Sequence, residues 1–254
     1  MSSLNAVEAT PVEQAPLSSA GAKLAVNLAL ASRMLSRDGH DDLNQGQVSG
    51  RLPGQDAFLI KEALQGFNEA APGHMLSARV EPGERPHPLA PPELPLHQAI
   101  YAARPDVNAI VHSHAPHTLV FGATDLDLQP VSHDGAFFQG RLTRFTLTSH
   151  TVLDIETARG IAEALGAGSA VLLRNHGGVI VGKSIRQAAV LAQVLERACR
   201  IQLLAESVGV PYHTASPEDV RRKQDYIYSD SSLKAYWDYC VRLVKHADPE
   251  VRAW

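Results

Sequence analysis

The sequence predicts one domain of the α/β class, and three observations indicate it. Short apolar runs such as Val107–Val111 and Ala170–Leu173 have the length and composition of buried strands. Segments with apolar residues at helical spacing lie around these runs. No linker and no internal repeat divides the 254 residues, a length that can bury a large core without disulfide bonds.

The N-terminal third is predicted to contain a tail, a helix and two strands. Residues 1–20 are rich in Ser, Ala, Pro and Glu and read as a disordered tail, which leaves 21–254 as the domain. A helix from Ala22 to Arg37 follows from its apolar spacing, and Gly39 ends it. Residues 46–60 predict two short strands around a Pro-Gly turn.

The middle of the chain predicts an irregular loop at residues 81–95, because prolines interrupt it repeatedly. The elements expected after it are a helix at 94–104, the strand Val107–Val111 running into His112, and a helix at 116–123.

The last third predicts a helix–strand–strand–helix order. The elements are a helix at Thr157–Leu165, the strand Ala170–Leu173, a tight turn at 175–178, the strand Val179–Val181 and a helix from Ser184, its N-cap, to about Val208. From Ser216 onward the chain is expected to be a helical extension with many aromatic residues.

Composition excludes several classes of function. The net charge is -4 with both signs mixed, so no basic run predicts nucleic-acid binding. No apolar run approaches the ~20 residues of a membrane span, and the N-terminus lacks the pattern of a signal peptide. Cys199 and Cys240 belong to no paired motif and are expected to be reduced thiols, although a bond between them is possible. We therefore expect a cytoplasmic protein.

A candidate metal site begins with His112 and His114. Side chains at alternate positions of a strand share one face, so this pair can approach one ion. His176, in a glycine-rich turn after another strand, is the best candidate for a third ligand, although any of the 12 histidines could serve. Three protein ligands leave open positions on the ion, which is the catalytic pattern. Paired histidines near strand ends are also often ordinary hydrogen-bonded core residues.

Glu93 is the candidate acid/base residue. It lies in the Pro-rich loop directly before the helix that carries His97. A carboxylate beside a metal can move a proton to or from a substrate. The alternative is a first-turn residue that complements the helix dipole, and position alone favours this alternative.

The histidines and Glu93 fall within a longer pattern that resembles the class II aldolase/adducin family. The runs are PPELPLHQAIYAARPDVNAIVHSHAPHTLVFG and, downstream, VLLRNHGGVIVGKSIRQAAVLAQVLERACRIQLL. The resemblance covers roughly residues 22–208. The residues that match the family pattern in order are Glu93, His97, Tyr101, Arg104, Pro105, Asp106, His112, His114, His176 and Gly177.

The resemblance implies a three-layer α/β/α fold with a central, largely antiparallel sheet. It also implies one divalent metal per chain on His112, His114 and His176, with Glu93 as the acid/base. Zinc or manganese is favoured, and iron(II) or another ion also accepts imidazole ligands. Family members are commonly homotetramers with active sites at subunit interfaces. The non-enzymatic adducin branch has lost these histidines, so a scaffold role is the least favoured alternative.

Departures from the pattern concern the phosphate site of the family's sugar-phosphate enzymes. Asn of the first loop is replaced by Gln47, followed by Ser49 and Arg51, and the second loop begins with Lys61 and lacks Thr and Gly. The serine pair before Glu93 is replaced by 91–92, two prolines that have neither hydroxyl nor N–H to offer a phosphate. Arg51 and Lys61 remain candidates for an anion.

A second departure lies near Asp134, where the aldolases have a tyrosine that reaches the neighbouring subunit's site. An ionised Asp cannot donate a proton as a phenol does. His133, Arg51 or Lys61 could pair with a second substrate carboxylate. The aromatic C-terminal segment could line a flat substrate, but core packing is the favoured interpretation of it.

These departures predict a metal-dependent carbon–carbon lyase acting on a small, non-phosphorylated molecule. The favoured reaction is decarboxylation of a hydroxylated aromatic or heteroaromatic acid in a catabolic route, where the metal stabilises enolate-type or phenolate-type charge and Glu93 protonates carbon. The alternatives are an aldolase for a small hydroxy-aldehyde or ketone and an iron(II)-dependent oxygenase. The sequence names neither the substrate nor the metal.

Overall fold

The computed structural model describes residues 17–82 and 87–254. Helices and strands alternate along them, with short 3-10 or π turns at residues 36–40, 67–69, 72–74 and 249–253. In chain order the elements are α1 (Ser19–Leu35), β1 (Gln47–Gly50), β2 (Ala57–Lys61), β3 (Met75–Arg79), α2 (Leu94–Ala103), β4 (Ala109–Ser113), α3 (Pro116–Ala123), α4 (His133–Phe137), β5 (Leu142–Phe145), α5 (Ile155–Leu165), β6 (Ala170–Leu173), β7 (Gly177–Gly182), α6 (Ile185–Ser207), α7 (Pro217–Tyr226) and α8 (Asp230–Ala247).

The strands form one sheet in the order β3-β2-β1-β4-β7-β6-β5. Every neighbouring pair is antiparallel except β5 and β6, which run parallel. Strand β4 lies at the centre, between β1 and β7. The sheet is therefore largely antiparallel, as the family resemblance implies.

Helices cover both faces of the sheet because the strand residues alternate between two cores. On one face Val111 and Ile180 pack into a core shared with α1 and α6. On the other face Ile110 and Val179 pack into a core shared with α2 and α5. These two cores confirm the three-layer α/β/α architecture.

The predicted interior strands and long helices are present, and the differences lie at the ends and edges. Helix α1 begins at Ser19, three residues earlier than predicted, because the Ser18 hydroxyl caps it by accepting from the Gly21 N–H. Of the predicted tail at residues 1–20, residues 1–16 lie outside the described residues, and residues 19–20 belong to α1. The edge strands β3 and β5 were not predicted, since their half-exposed residues form no continuous apolar run.

Two predictions from composition can be compared with the described residues. None of the helices in 17–82 and 87–254 is both long and apolar enough to cross a bilayer. Cys199 and Cys240 are free thiols rather than a disulfide pair, and burial raises the pKa of each.

Candidate metal centre and active site

The end of β4 presents two histidines to one point. His112 is the fourth residue of this strand and is fully buried, and His114 follows the last strand residue. Their ring centroids lie 5.1 Å apart, because residues two apart on an extended chain share a face.

His176 joins this pair from the turn between β6 and β7. Asn175 adopts a left-handed φ of 56°, which tightens the turn, and asparagine tolerates this conformation better than most residues. Gly177 then passes so close to β4 that a Cβ there would lie 2.5 Å from the Ser113 carbonyl oxygen. The His176 ring consequently lies 5.0 Å from that of His112 and 5.1 Å from that of His114.

Glu93 reaches the three rings from the N-cap position of α2. Its Oε2 lies 3.1 Å from His112 Nε2, and its Oε1 lies 3.3 Å from His176 Nε2. The Val152 N–H donates to Oε1 at 3.1 Å and fixes the carboxylate. The N-terminus of α2 therefore lies at the histidine cluster. Glu93 can complement the helix dipole and also act as the acid/base, so the two interpretations of this residue do not exclude each other.

The ring nitrogens are oriented as metal ligands require. His112 Nδ1 donates to the Gly178 carbonyl at 3.0 Å, and His114 Nδ1 donates to Asp42 Oδ2 at 2.8 Å, since both partners are acceptors. The Nε2 atoms of both rings are buried. That of His114 has no hydrogen-bond partner within the described residues, and that of His112 faces only the Glu93 carboxylate, 3.1 Å away. In metal-binding histidines, one ring nitrogen typically faces the metal while the other donates to a carboxylate or a backbone carbonyl. His112 and His114 both have this arrangement.

The four side chains can hold one divalent ion. One ligand atom from each of Glu93, His112, His114 and His176 lies within 4.8 Å of the other three. Two ligands on one ion of this kind lie roughly 3–4 Å apart, given bonds of about 2.1 Å. The donor set therefore fits a zinc, manganese or iron centre after small side-chain movements.

The charges in the cluster favour a cation. Burial opposes ionisation of Glu93, but His112 and His176 outweigh it and lower the pKa of this carboxyl. Burial likewise opposes protonation of His112, whereas the negative charge of Glu93 raises its pKa. Burial lowers the pKa of His114, and His112 lowers it further, which favours the neutral form that binds a metal.

Gln47 and Ser49 lie beside the cluster on the adjacent strand β1. Gln47 pairs with His112 in the sheet, and its Nε2 donates to Glu93 Oε2 at 3.3 Å. Ser49, two residues further along the same face, lies 2.7 Å from His97 Nδ1 and 2.9 Å from the Tyr101 hydroxyl. Gln47 therefore contacts the proposed acid/base directly, whereas Ser49 contacts His97 and Tyr101 instead.

The structure does not bring Arg51, a predicted anion-binding residue, to the histidine cluster. It lies four residues beyond Gln47, roughly 13 Å along a strand that rises about 3.3 Å per residue. Its guanidinium donates to three backbone carbonyls, those of Tyr101, Arg104 and Val107. This cation holds the connection between α2 and β4.

Lys61, the other predicted anion-binding residue, is also hydrogen-bonded to the backbone. Its ammonium donates to the carbonyls of Glu62 and Gln65, with the nitrogen 5.8 Å from the centre of the Phe67 ring. Burial lowers its pKa to about 8. Lys61 is thus held in the core on the α1 side rather than directed at a substrate.

His133 and Asp134 occupy a different part of the molecule. Arg197 binds both oxygens of Asp134 at 2.6 and 2.7 Å, and the Tyr228 hydroxyl donates to it at 2.7 Å. His133 is exposed at a cavity of ≈ 590 Å³ between α4, α6 and α8. The structure therefore does not bring Asp134 to the histidine cluster of its own chain, where this carboxylate is paired with Arg197 and Tyr228.

The aromatic C-terminal segment divides between two environments. Trp237 and Tyr228 are buried in the core next to α6, as the favoured interpretation predicted. Tyr236 and Tyr239 are exposed and line the same cavity as His133. The described contacts give neither tyrosine a place at the histidine cluster.

The residue that sequence reasoning missed is Asp42, which supports His114. It follows Asp41 in a short polar loop after Gly39, and nothing in that pattern separates one aspartate from the other. The structure separates them, because Asp41 accepts instead from the Ser36 hydroxyl at 2.6 Å.

Comparisons with known proteins agree with this fold. The class II aldolase and adducin N-terminal domain matches residues 26–203. The chain is 32% identical over 209 residues to 3,4-dihydroxyphthalate decarboxylase of Arthrobacter keyseri, covering 76% of this chain and 82% of that protein. It is 31% identical over 190 residues to decarboxylase NovR of Streptomyces niveus, covering 72% of this chain and 70% of NovR.

A solved structure extends the agreement to the fold. The crystal structure of an aldolase II superfamily protein from Pseudomonas syringae matches with a TM-score of 0.82 and 25% identity, covering 93% of this chain and 97% of that one. The match spans nearly the whole of both chains. The chain therefore belongs to the class II aldolase and adducin N-terminal domain family.

Proposed function

We propose that the protein is a divalent-metal-dependent carboxy-lyase acting on a small, non-phosphorylated hydroxy acid with an aromatic or heteroaromatic ring. The observation that carries the proposal is the convergence of His112, His114, His176 and Glu93 on one buried point. The two decarboxylases among the relatives support this choice of reaction over the other lyase reactions of the family.

The surroundings of the cluster support a substrate without phosphate. The two cations that the sequence offered for an anion, Arg51 and Lys61, are both engaged by backbone carbonyls. Residues 91 and 92, directly before Glu93, are prolines and have no N–H to donate. The N–H groups of Arg51 and Lys61 are thus engaged elsewhere, and the two prolines offer no donor to a phosphate oxygen.

The chemistry divides between the ion and Glu93. A divalent ion on the three histidines supplies a Lewis acid for the negative charge that develops on substrate oxygen. The Glu93 carboxylate accepts the proton of a substrate hydroxyl and returns it to the carbon that loses carbon dioxide. The bond to the carboxylate breaks, its electron pair stays on that carbon, and one proton is taken from water to restore the hydroxyl.

The first test is metal content together with carbon dioxide release under anaerobic conditions. We expect about one zinc or manganese per chain and release of carbon dioxide from hydroxyaryl carboxylates. His112→Ala is expected to lose the metal, while the exposed His213→Ala retains it. Stoichiometric iron together with a requirement for dioxygen would instead favour the oxygenase, and the absence of metal after reloading would overturn the proposal.

Glu93→Gln separates proton transfer from metal binding. We expect this variant to keep its metal and to lose about 10²–10⁴-fold in turnover, the range typical for general acid/base residues. The exposed Glu163→Gln is the control of equal charge change. Full activity in Glu93→Gln would contradict the acid/base role of Glu93.

Two further features are proposed from the family alone. We propose a homotetramer with its active sites at subunit interfaces, and a cytoplasmic location. Light scattering on the purified protein measures the first, and a mass of one chain, 27.4 kDa, would contradict it.

A further inference from the structure

The amide of Gln47 lies directly beside the metal-binding histidines. Gln47 and His112 are paired residues of the antiparallel strands β1 and β4, and such pairs place their side chains on the same face. Gln47 is only 4% exposed, so its amide is enclosed in the site rather than hydrated.

Glu93 fixes which way this amide points. Gln47 Nε2 lies 3.3 Å from Glu93 Oε2 and donates to it. The reverse orientation would place the amide oxygen against the carboxylate, where neither atom has a proton to share. The amide oxygen Oε1 therefore points away from Glu93.

Gln47 Oε1 is a buried acceptor that lacks a donor. It has no hydrogen-bond partner among residues 17–82 and 87–254. Buried polar groups in folded proteins are nearly always paired, so an unpaired one beside a reaction centre indicates a group supplied by the ligand. An amide oxygen accepts from an O–H or N–H group or binds a metal ion, and it repels a carboxylate or phosphate oxygen. The proposed ion already has ligands from three histidines, which leaves an O–H or N–H group of the substrate as the partner for this oxygen.

The proposed reaction already uses one substrate hydroxyl, whose proton passes to Glu93. A donor for Gln47 must then be a second group that keeps its proton. We infer that the substrate carries two neighbouring hydroxyls, and that Gln47 Oε1 accepts a hydrogen bond from the second one. This inference rests on the proposed function and deepens it, since it assigns a vicinal dihydroxy acid as the substrate class.

The test compares binding of matched acids to the zinc-loaded protein by calorimetry. The probes are 3,4-dihydroxybenzoate, 3-hydroxybenzoate and 4-hydroxybenzoate. We expect wild type to bind the dihydroxy acid at least about tenfold more tightly than either monohydroxy acid, because a site built to pair a hydroxyl rejects analogues that lack it. In Gln47→Met, which keeps the length of the side chain but lacks the acceptor, this preference is expected to fall to about onefold to threefold.

Two controls keep the result specific to Gln47. The exposed Gln55→Met is expected to keep the wild-type preference. Metal content is measured in each variant, and the ratio of dihydroxy to monohydroxy affinity is compared, so that a uniform change in the binding of all three acids by Gln47→Met does not count as a loss of preference. An equal preference in Gln47→Met and wild type, or none in wild type, would overturn the inference.

Methyl ethers give a test that needs no variant, in case Gln47→Met does not fold. With wild type, 4-hydroxy-3-methoxybenzoate and 3-hydroxy-4-methoxybenzoate each remove one donor. Loss of the tenfold preference with at least one ether supports the inference, and full retention with both contradicts it. If the protein releases carbon dioxide but shows no preference for the dihydroxy acid, only this inference is rejected. If it shows the preference but releases no carbon dioxide, the proposed lyase activity is rejected and the contact between Gln47 and a hydroxyl remains.

Discussion

The Asp42 carboxylate determines which nitrogen of His114 is free for a metal. Because Asp42 accepts from Nδ1 at 2.8 Å, the lone pair of the ring lies on Nε2, which faces the cluster. The Gly178 carbonyl does the same for His112, but a backbone group cannot be removed by substitution. Asp42 is thus the accessible point at which the support of the site can be tested.

We expect Asp42→Asn to weaken metal binding by about 10–100-fold, the usual effect of removing a group that supports a ligand. The amide can present its N–H₂ to Nδ1 and then favours the wrong tautomer. Competition with a chelator of known affinity measures the change. Asp41→Asn, with the same loss of charge one residue away, is expected to bind metal as wild type does, and equal weakening in both variants would point to general charge instead.

At the scale of single residues, the sequence predicts which side chains form the candidate site better than it predicts the hydrogen-bond partners of the charged side chains around it. The three histidines and Glu93 were identified from spacing and family resemblance, and the structure brings them together. The backbone partners of Arg51 and Lys61 were not predicted, because a cationic residue type reveals nothing about which carbonyls surround it. That depends on the course of residues 62–66 and 101–107, which the sequence pattern leaves open.

The junction of β4 and β7 is the element on which the site depends. Ser113 pairs with Gly178, and Gly177 lies against the same part of β4. The close approach brings the turn that carries His176 over the end of the strand that carries His112. Any side chain at position 177 would separate the two strands at this point.

We expect Gly177→Ala to destabilise the fold by about 1–3 kcal/mol and to lower metal affinity at the same time. The added methyl would lie 2.5 Å from the Ser113 oxygen and 2.8 Å from the His114 ring. Urea denaturation and metal titration measure the two effects. Gly73→Ala, where a Cβ meets nothing within 4 Å, is the control. A stable Gly177→Ala with intact metal binding would contradict this account of the turn.

The connection between α2 and β4 depends on Arg51 in a different way. Removing its guanidinium removes a donor from each of three carbonyls, although the Arg104 carbonyl still accepts from the Val107 N–H, so we expect Arg51→Met to cost about 2–4 kcal/mol of stability. Below its melting temperature the variant should keep the KM of wild type, because Arg51 lies far from the cluster. A rise in KM without loss of stability would restore the predicted anion-binding role. Arg221→Met, on the exposed face of α7, controls for the loss of charge.

Across elements, prediction succeeded where the local sequence signal is strong. Strand β6 and helix α3 have the predicted bounds, because continuous apolar runs and a Pro at the first turn mark them. The edge strands β3 and β5 are only half buried, so their sequences lack the apolar runs or alternation that would identify them.

For the whole molecule, the proposed metal would join segments that are far apart in the chain. Glu93, His112 and His176 belong to α2, β4 and the turn before β7. These ligands converge only when the sheet and both helical layers are formed. An ion held there binds the folded chain and not the unfolded one, and so stabilises all of it.

We therefore expect chelation to lower the melting temperature of the entire protein. At a free metal concentration 100 times Kd, binding contributes about 2.7 kcal/mol, which for a chain of this size corresponds to roughly 5–10 °C. Calorimetry across a series of buffered metal concentrations measures the shift. His112→Ala should show none of it, and an equal shift in that variant would place the stabilising ion elsewhere.

The register of β4 against β7 limits where residues can be inserted into or deleted from this chain. Because side chains alternate across a strand, inserting or deleting one residue within β4 would turn His112 toward α6 and direct Ser113 at Glu93. The turn at residues 174–176 cannot shift toward β4 to compensate, because Gly177 already packs closely against that strand. Natural variants of this chain should therefore gain or lose residues in segments such as 146–151, and keep an invariant count between Ala109 and His114.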